Sequence, residues 1–349
     1  MRREAQLIER IARTLSASRG LPSGRISARG RVRLGIGDDA AIIAPSRSAD
    51  WVLSCDAFLE GVHFLADHHP ADSVGFKSLA RAASDLAAMG ARPTIFLLTL
   101  ALPAHRSDRW LDEFLEGMAR AARILGMRLA GGDTTRSDAV SISITVVGEA
   151  GRGLAVTRSG ARPGDIIYVS GRLGAAELGL QLVRNGFLNA SGPRTKAQSP
   201  LVQRHLYPQI RVRLGLWLAR HRIASAMMDI SDGLSTDLAR LCEASRVGAR
   251  LWVNRIPRVE VPAGRTGRLA RIIANLKLDP LKLALHGGED YELLFTVPRR
   301  YAGRLRRAPG FSHLTAIGEI ERGKTIFLAG TDERARQLLP GGWDPFRRK

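Results

Sequence analysis

Hydrophobic and polar positions follow two periods along this chain. Leu7, Ile8, Ile11 and Leu15 fall at helical spacing and predict a short amphipathic helix over residues 4–15. Phe76, Leu79, Ala80, Ala83, Leu86 and Ala87 share one face and predict a helix from Phe76 to Met89, closed by Gly90. A second long helix is expected from Trp110 to Leu125, closed by Gly126. Shorter helical stretches are expected at Ala175–Val183, Ile210–Arg220 and Thr236–Ala244. The other period is two. Val140, Ile142, Ile144 and Val146 alternate with Ser141, Ser143 and Thr145, the pattern of a strand with one buried face. Further strands are expected at Trp51–Ser54, stopping at Asp56, and at Thr94–Leu102, Arg128–Ala130, Ile166–Val169 and Leu251–Val253. A turn and a strand fit Glu289–Val297, and Leu314–Leu328 reads as a hairpin.

The stretches between these elements are polar. Ser16–Arg33 and Asn185–Ser199 read as loops by composition, and no function is assigned to the first. The glycines from Gly148 to Gly153 break the pattern and predict a domain boundary. The expected architecture is α/β (α+β), with residues 1–150 and 151–349 as two domains, each a mixed sheet covered by helices.

Composition adds two constraints. Two cysteines, Cys55 and Cys242, in 349 residues exclude a disulfide framework, and no Cys/His cluster has zinc spacing. No apolar stretch approaches the roughly 20 residues of a membrane helix, and residues 1–15 lack a signal-peptide core, so a cytoplasmic location without membrane partners is expected. Fifty-three Lys and Arg against 33 Asp and Glu give a net charge of +20. Such a surface attracts polyanions: nucleic acid, anionic membranes or phosphorylated small molecules. The basic residues are scattered and aromatics are only 5% of the chain, which disfavours a nucleic-acid-binding face; steep salt dependence of binding to random duplex DNA would reverse that reading.

Two phosphate-binding motifs match by pattern only. Gly318 to Thr325 satisfies G-x-x-x-x-G-K-[ST], but that loop works between a strand and a helix, and here Ile326–Leu328 is expected to be another strand. Gly35 to Ala40 is a partial dinucleotide fingerprint with two carboxylates where pyrophosphate would approach. What remains is a series of acids beside glycines: Asp38-Asp39, Asp56, Asp85, Asp133, Asp229, Asp232 and Glu289-Asp290. Asp at a turn or helix start is commonplace on its own. Together these acids point to hard-cation chemistry, because Mg²⁺ takes oxygen ligands, one or two carboxylates plus substrate phosphates.

Five motifs then occur in order: Gly35-Ile-Gly-Asp-Asp-Ala40, Asp56-Ala-Phe-Leu-Glu-Gly-Val-His-Phe64, Gly131-Gly-Asp133, Met228-Asp-Ile-Ser-Asp-Gly-Leu234 and Gly287-Gly-Glu-Asp-Tyr-Glu-Leu-Leu-Phe295. The ordered set resembles the thiamine-monophosphate kinase family, within the superfamily that includes aminoimidazole ribonucleotide synthetase and selenophosphate synthetase. The resemblance implies a two-domain synthetase-like fold, a homodimer pairing through N-terminal sheets, and Mg²⁺-assisted, direct in-line transfer of the ATP γ-phosphoryl group to thiamine monophosphate. Carried over by position, it implies metal contacts at Asp39, Ser54, Cys55, Asp56, Asp85, Asp133, Asp229 and Asp232. A thiol is a poor Mg²⁺ ligand, so residue 55 would act through its backbone carbonyl. It further implies ATP contacts at Gly132, Asp133, Arg158 and Ser231, and substrate contacts at His63, Glu289 and Trp343. No single acid or base is implied, since charge neutralisation carries the chemistry. Another ATP-using member of the same superfamily is the nearest alternative. A selenophosphate synthetase is disfavoured because no Cys precedes residue 55.

Overall fold

Four strands build the sheet of the first unit, three of them eleven residues long, and their length comes from pairing. β3 (Ala49–Leu59) runs antiparallel to β6 (Ser141–Gly151) over its whole length, β6 pairs antiparallel with β4 (Arg92–Leu102), and β4 pairs in parallel with β5 (Arg128–Arg136). The computed structural model describes residues 10–15, 32–34, 42–43, 48–188, 199–261, 267–306, 310–311, 313–330 and 335–346. Residues 10–15 are helical (α1), and β1 (Val32–Leu34) pairs antiparallel with β2 (Ile42–Ile43). Two units divide the chain: Met1–Leu86, Ala91–Gly153 and Leu188–Pro193 in one, Ala87–Gly90, Leu154–Phe187 and Arg194–Lys349 in the other.

In the first unit the alternation in β6 is realised. Ile142, Ile144 and Val146 are buried, whereas Ser141, Ser143 and Thr145 stay partly open. Helix α2 (Ala71–Ala88) covers the buried face and packs on α3 (Arg109–Leu125). Two glycines set that approach. A Cβ at Gly75 would lie 1.9 Å from the Phe114 carbonyl oxygen, and one at Gly117 would lie 1.8 Å from that of Asp72. Two strands outrun their sequence patterns. β3 continues through Asp56 to Leu59, and β5 continues through Gly131-Gly132-Asp133 to Arg136, because the β6 and β4 ladders supply hydrogen bonds that local hydrophobicity does not register. At Gly132 a Cβ would fall 1.9 Å from the Leu98 carbonyl oxygen, so only glycine admits this contact with β4.

The second unit holds seven strands in the order β13-β12-β9-β11-β7-β10-β8. They are β7 (Ile166–Val169), β8 (Ala226–Ile230), β9 (Gly248–Trp252), β10 (Glu292–Val297), β11 (Thr315–Glu321), β12 (Ile326–Ala329) and β13 (Ala335–Gln337). Its central strands are buried on both faces. Ile167, Met228, Ile230 and Leu294 join one apolar cluster, with α7 (Leu234–Ser245) contributing Leu234, Leu238 and Leu241. Tyr168, Met227, Leu293 and Phe295 join the other, with α6 (Val212–Arg220) contributing Leu214 and Leu218. Other helices are α4 (Ala175–Arg184), α5 (Pro200–Leu206), α8 (Gly267–Leu276), α9 (Pro280–His286) and α10 (Ala302–Arg306).

The expected hairpin at Leu314–Leu328 does not form. β9 separates its two strands, pairing antiparallel with β11 and in parallel with β12, so a non-local strand wins both edges. No helix follows Lys324-Thr325, and the phosphate-loop pattern therefore has no structural counterpart.

The glycine contacts make α2 and α3 intolerant of any side chain there. Gly117→Ala is expected to destabilise the protein by about 1–3 kcal/mol through overpacking, read as a melting temperature several degrees lower; an unchanged melting curve would show that the helices yield freely.

Candidate active site

The Ser231-Asp232-Gly233 turn joins the end of β8 to α7 and organises the second unit's site. All three amides donate to Oδ2 of Asp237, at 3.1, 3.0 and 3.0 Å, and Asp237 is fully buried in the first turn of α7. Burial pushes the Asp237 carboxyl up to about 7, and the neighbouring Asp232 charge adds to the rise. Arg240 spans Asp232 and Asp237. The turn's carbonyl groups are used as well. Ser231 O accepts the Glu289 N–H at 2.8 Å, and Asp232 O accepts the Trp343 N–H at 2.9 Å. Gly342 permits the second contact, since a Cβ there would lie 1.9 Å from Asp232 O. Residues 58 and 111 positions apart thus meet on one turn. Asp229 is the one polar residue of β8, 3% exposed and opposite Leu293 of β10.

The Gly-Gly-Glu-Asp-Tyr-Glu segment is anchored acid by acid. Glu289 and Tyr291 both adopt left-handed backbone, at φ 67° and 50°. Non-glycine residues hold such angles only where their surroundings over-determine them. Asp290 between them accepts the amides of Gly174 (2.6 Å) and Ala176 (3.1 Å) at the start of α4, and burial pushes its carboxyl up to about 7. Glu289 Oε2 lies 3.1 Å from His205 Nδ1. Glu292 takes Arg211 through both carboxylate oxygens and the Ser170 hydroxyl besides, and this hydrogen bonding raises the Arg211 pKa.

In the first unit, strand alternation sorts the candidate ligands onto two faces. Ser54 and Asp56 point toward α2, where the Ser54 hydroxyl donates to the Asp85 carboxylate and Arg81 Nε sits 3.3 Å from Asp56 Oδ2. Cys55 points the opposite way and touches Ser143 and Thr145 at 3.6 and 3.4 Å. Only its backbone remains on offer to a cation shared with Asp56. Asp133 is in register with Thr99, Ser143 and Ala57, which places it on the Cys55 face; its own Oδ1 accepts the Thr134 N–H at 2.8 Å. Gly132 is the close contact to β4 described above. His63 accepts the Leu59 N–H at Nδ1 (3.0 Å), which leaves Nε2 to carry the proton of the neutral ring.

Arg158 is exposed, and its carbonyl accepts the Ser245 hydroxyl at 3.0 Å. Asp39 lies outside the described residues. Among the described residues, no three His, Cys, Asp or Glu side chains cluster as a metal cage. Of the candidate carboxylates, Asp85 takes the Ser54 hydroxyl, Asp56 and Asp232 sit beside arginines, and Asp133 accepts a backbone amide; all are oxygen donors of the kind Mg²⁺ takes. Sequence reasoning missed Asp237, Arg240, His205, Arg211 and Arg81. Asp237 was legible as an acid in a helix's first turn; the others act through partners distant in sequence or on a neighbouring turn.

Residues 37–150 match the family described as AIR synthase related protein, N-terminal domain, and residues 162–329 match its C-terminal domain. The thiamine-monophosphate kinase of Escherichia coli (strain K12) is 39% identical over 298 residues, 84% of this chain and 86% of its own. The chain belongs to the thiamine-monophosphate kinase family. It is therefore a phosphotransferase. Among solved structures, the family's enzyme from Stenotrophomonas maltophilia K279a is 36% identical, with a TM-score of 0.77 over 96% of this chain and 98% of that one. AaThiL complexed with AMPPCP and TMP is 32% identical, with a TM-score of 0.72 over 98% and 97%.

Asp290 makes stability depend on pH. Its folded pKa is raised above the unfolded value, so its contribution is full below about pH 4 and is lost as pH rises through about 7. Asp290→Asn keeps an amide acceptor without the charge. Its melting temperature should fall less between pH 5 and pH 8 than that of the parent protein; identical slopes would show that Asp290 does not titrate in this range.

Proposed function

We propose that this chain phosphorylates thiamine monophosphate with ATP, giving thiamine diphosphate and ADP. The observation that carries the reading is the Ser231–Gly233 turn. One short loop, clamped by Asp237, holds the backbones of Glu289 and Trp343, the two substrate candidates of the second unit. The family relationship supports the same chemistry, and AaThiL was crystallised with AMPPCP and TMP.

The attacking group is a phosphate oxygen that is already ionised near neutral pH, because the second pKa of a phosphomonoester is about 6. A protein base is unnecessary. Positioning and neutralisation of spreading charge are what remain. We assign Arg158, Ser231 and the Gly132 backbone to ATP. Arg158 offers a planar fork of donors to phosphate oxygens. Glu289, Trp343 and His63 are assigned to the acceptor. Trp343 is 43% exposed, and its ring is open to a cation–π contact with a thiazolium. Asp39, Ser54, Asp56, Asp85, Asp133, Asp229 and Asp232, with the backbone of Cys55, are the residues that would hold Mg²⁺. Bound there, Mg²⁺ would neutralise phosphate charge and lower the repulsion between the two anions.

Homodimerisation through the first unit's sheet is part of the proposal. Trp51, Leu53 and Leu97 are 39%, 60% and 39% exposed on the face opposite α2, an apolar patch that a second copy would cover. Asp133 shares that face. Cys55 and Cys242 are unpaired, which fits a reducing compartment such as the cytoplasm, and among the described residues no helix is long and apolar enough to cross a membrane.

Purified protein with ATP, Mg²⁺ and thiamine monophosphate should yield thiamine diphosphate, whereas free thiamine, which offers an alcohol, should be a poor acceptor. Asp229→Asn and Asp56→Asn should each lower turnover at least about tenfold while the protein stays folded by circular dichroism. Full activity in either variant removes that residue from the metal set. Leu53→Asp should shift the mass measured by light scattering from dimer to monomer; a monomeric parent protein would end the dimer proposal.

A further inference from the structure

Three bases in one short stretch face the three acids of the Glu289–Glu292 segment. Arg211, the residue before α6, forks onto Glu292. Arg204 in α5 acts on the buried Asp290 through its charge. His205, next to it, places Nδ1 3.1 Å from Glu289 Oε2. Asp290 and Glu292 are spent inside the protein, on α4's amides and on Arg211 with Ser170. Glu289 differs, because 21% of its side chain reaches solvent while His205 is completely buried. The backbone beneath Glu289 is already locked, by its left-handed φ and its bond to Ser231. The torsions of its side chain are what backbone locking leaves undecided. His205 itself cannot wander. Gly179 of α4 lets α5 approach so closely that a Cβ there would lie 2.7 Å from the His205 Cβ.

We propose that His205 is a positioning residue for the reaction, holding the Glu289 carboxylate in the one orientation that recognises the cationic organic part of the phosphate acceptor. A carboxylate only accepts hydrogen bonds, so Nδ1 of His205 carries the proton that Glu289 receives. One carboxylate oxygen, Oε2, is thereby fixed on His205 while the side chain keeps its 21% exposure to solvent. Held this way, the carboxylate meets the acceptor without first losing side-chain entropy. This inference rests on the reading of Glu289 as an acceptor contact.

The test is a kinetic cycle of His205→Gln, Glu289→Gln and the double variant. His205→Gln should raise KM for thiamine monophosphate about tenfold, the loss expected for one hydrogen bond to a charged group. KM for ATP and kcat should stay within about twofold, a split that a general packing defect would not produce. The double variant should be no worse than Glu289→Gln alone, because the effect of His205 on the acceptor runs through that carboxylate. An unchanged KM for thiamine monophosphate in folded His205→Gln, or effects that multiply in the double variant, would overturn the proposal. If His205→Gln fails to fold, the ring is read directly by ¹⁵N NMR. Its nitrogen shifts should move when thiamine monophosphate binds the parent protein and stay still in Glu289→Gln; no response in the parent overturns the proposal. Absence of any kinase activity in the parent protein defeats the wider functional reading instead, and this inference with it.

Discussion

Three backbone amides converge on one buried carboxylate, and the second unit's site is built around that point. A turn between a strand and a helix exposes amides that have no helical partner. Here Asp237 takes three of them on a single oxygen. Leaving such a donor unsatisfied in a buried setting costs about 1–3 kcal/mol each. The same turn can then spend its carbonyl groups on Glu289 and Trp343. The Asp237 clamp thus helps fix the surface on which both residues dock. Asp237 also shares Arg240 with Asp232.

Charge neutralisation is the second constraint. Carboxylates crowd the second unit's site, and several of them have a compensating group within reach. Arg240 serves Asp232 and Asp237, Arg211 serves Glu292, and the amides at the start of α4 serve Asp290. In the first unit, Arg81 serves Asp56. Burying a lone charge is costly, and pairing one with hydrogen bonds is what makes burial tolerable. Several of the chain's arginines are therefore structural, since they hold acids in place.

Strand alternation imposes the third constraint. Side chains of consecutive residues point to opposite faces, so Ser54 and Asp56 share α2's face while Cys55 cannot. The ladder across β3, β6, β4 and β5 carries the same logic to Asp133, three strands away on the Cys55 face. A string of adjacent motif residues is thus split between a helix-covered surface and an open one.

The amino-acid sequence by itself determined the two long helices of the first unit, the alternating strand β6, the mixed α/β class and, through five ordered motifs, the family. Those features are local: apolar spacing sets helix or strand, and motif residues carry their chemistry wherever they fold. Tertiary structure alone decided that β9 would separate β11 from β12, that β5 would continue through two glycines, and that His205 would meet Glu289 across 84 residues of chain. Hydrogen-bond ladders and buried ion pairs join residues far apart in sequence, and nothing in the spacing of either partner names the other until the sheet and its helices have closed around them.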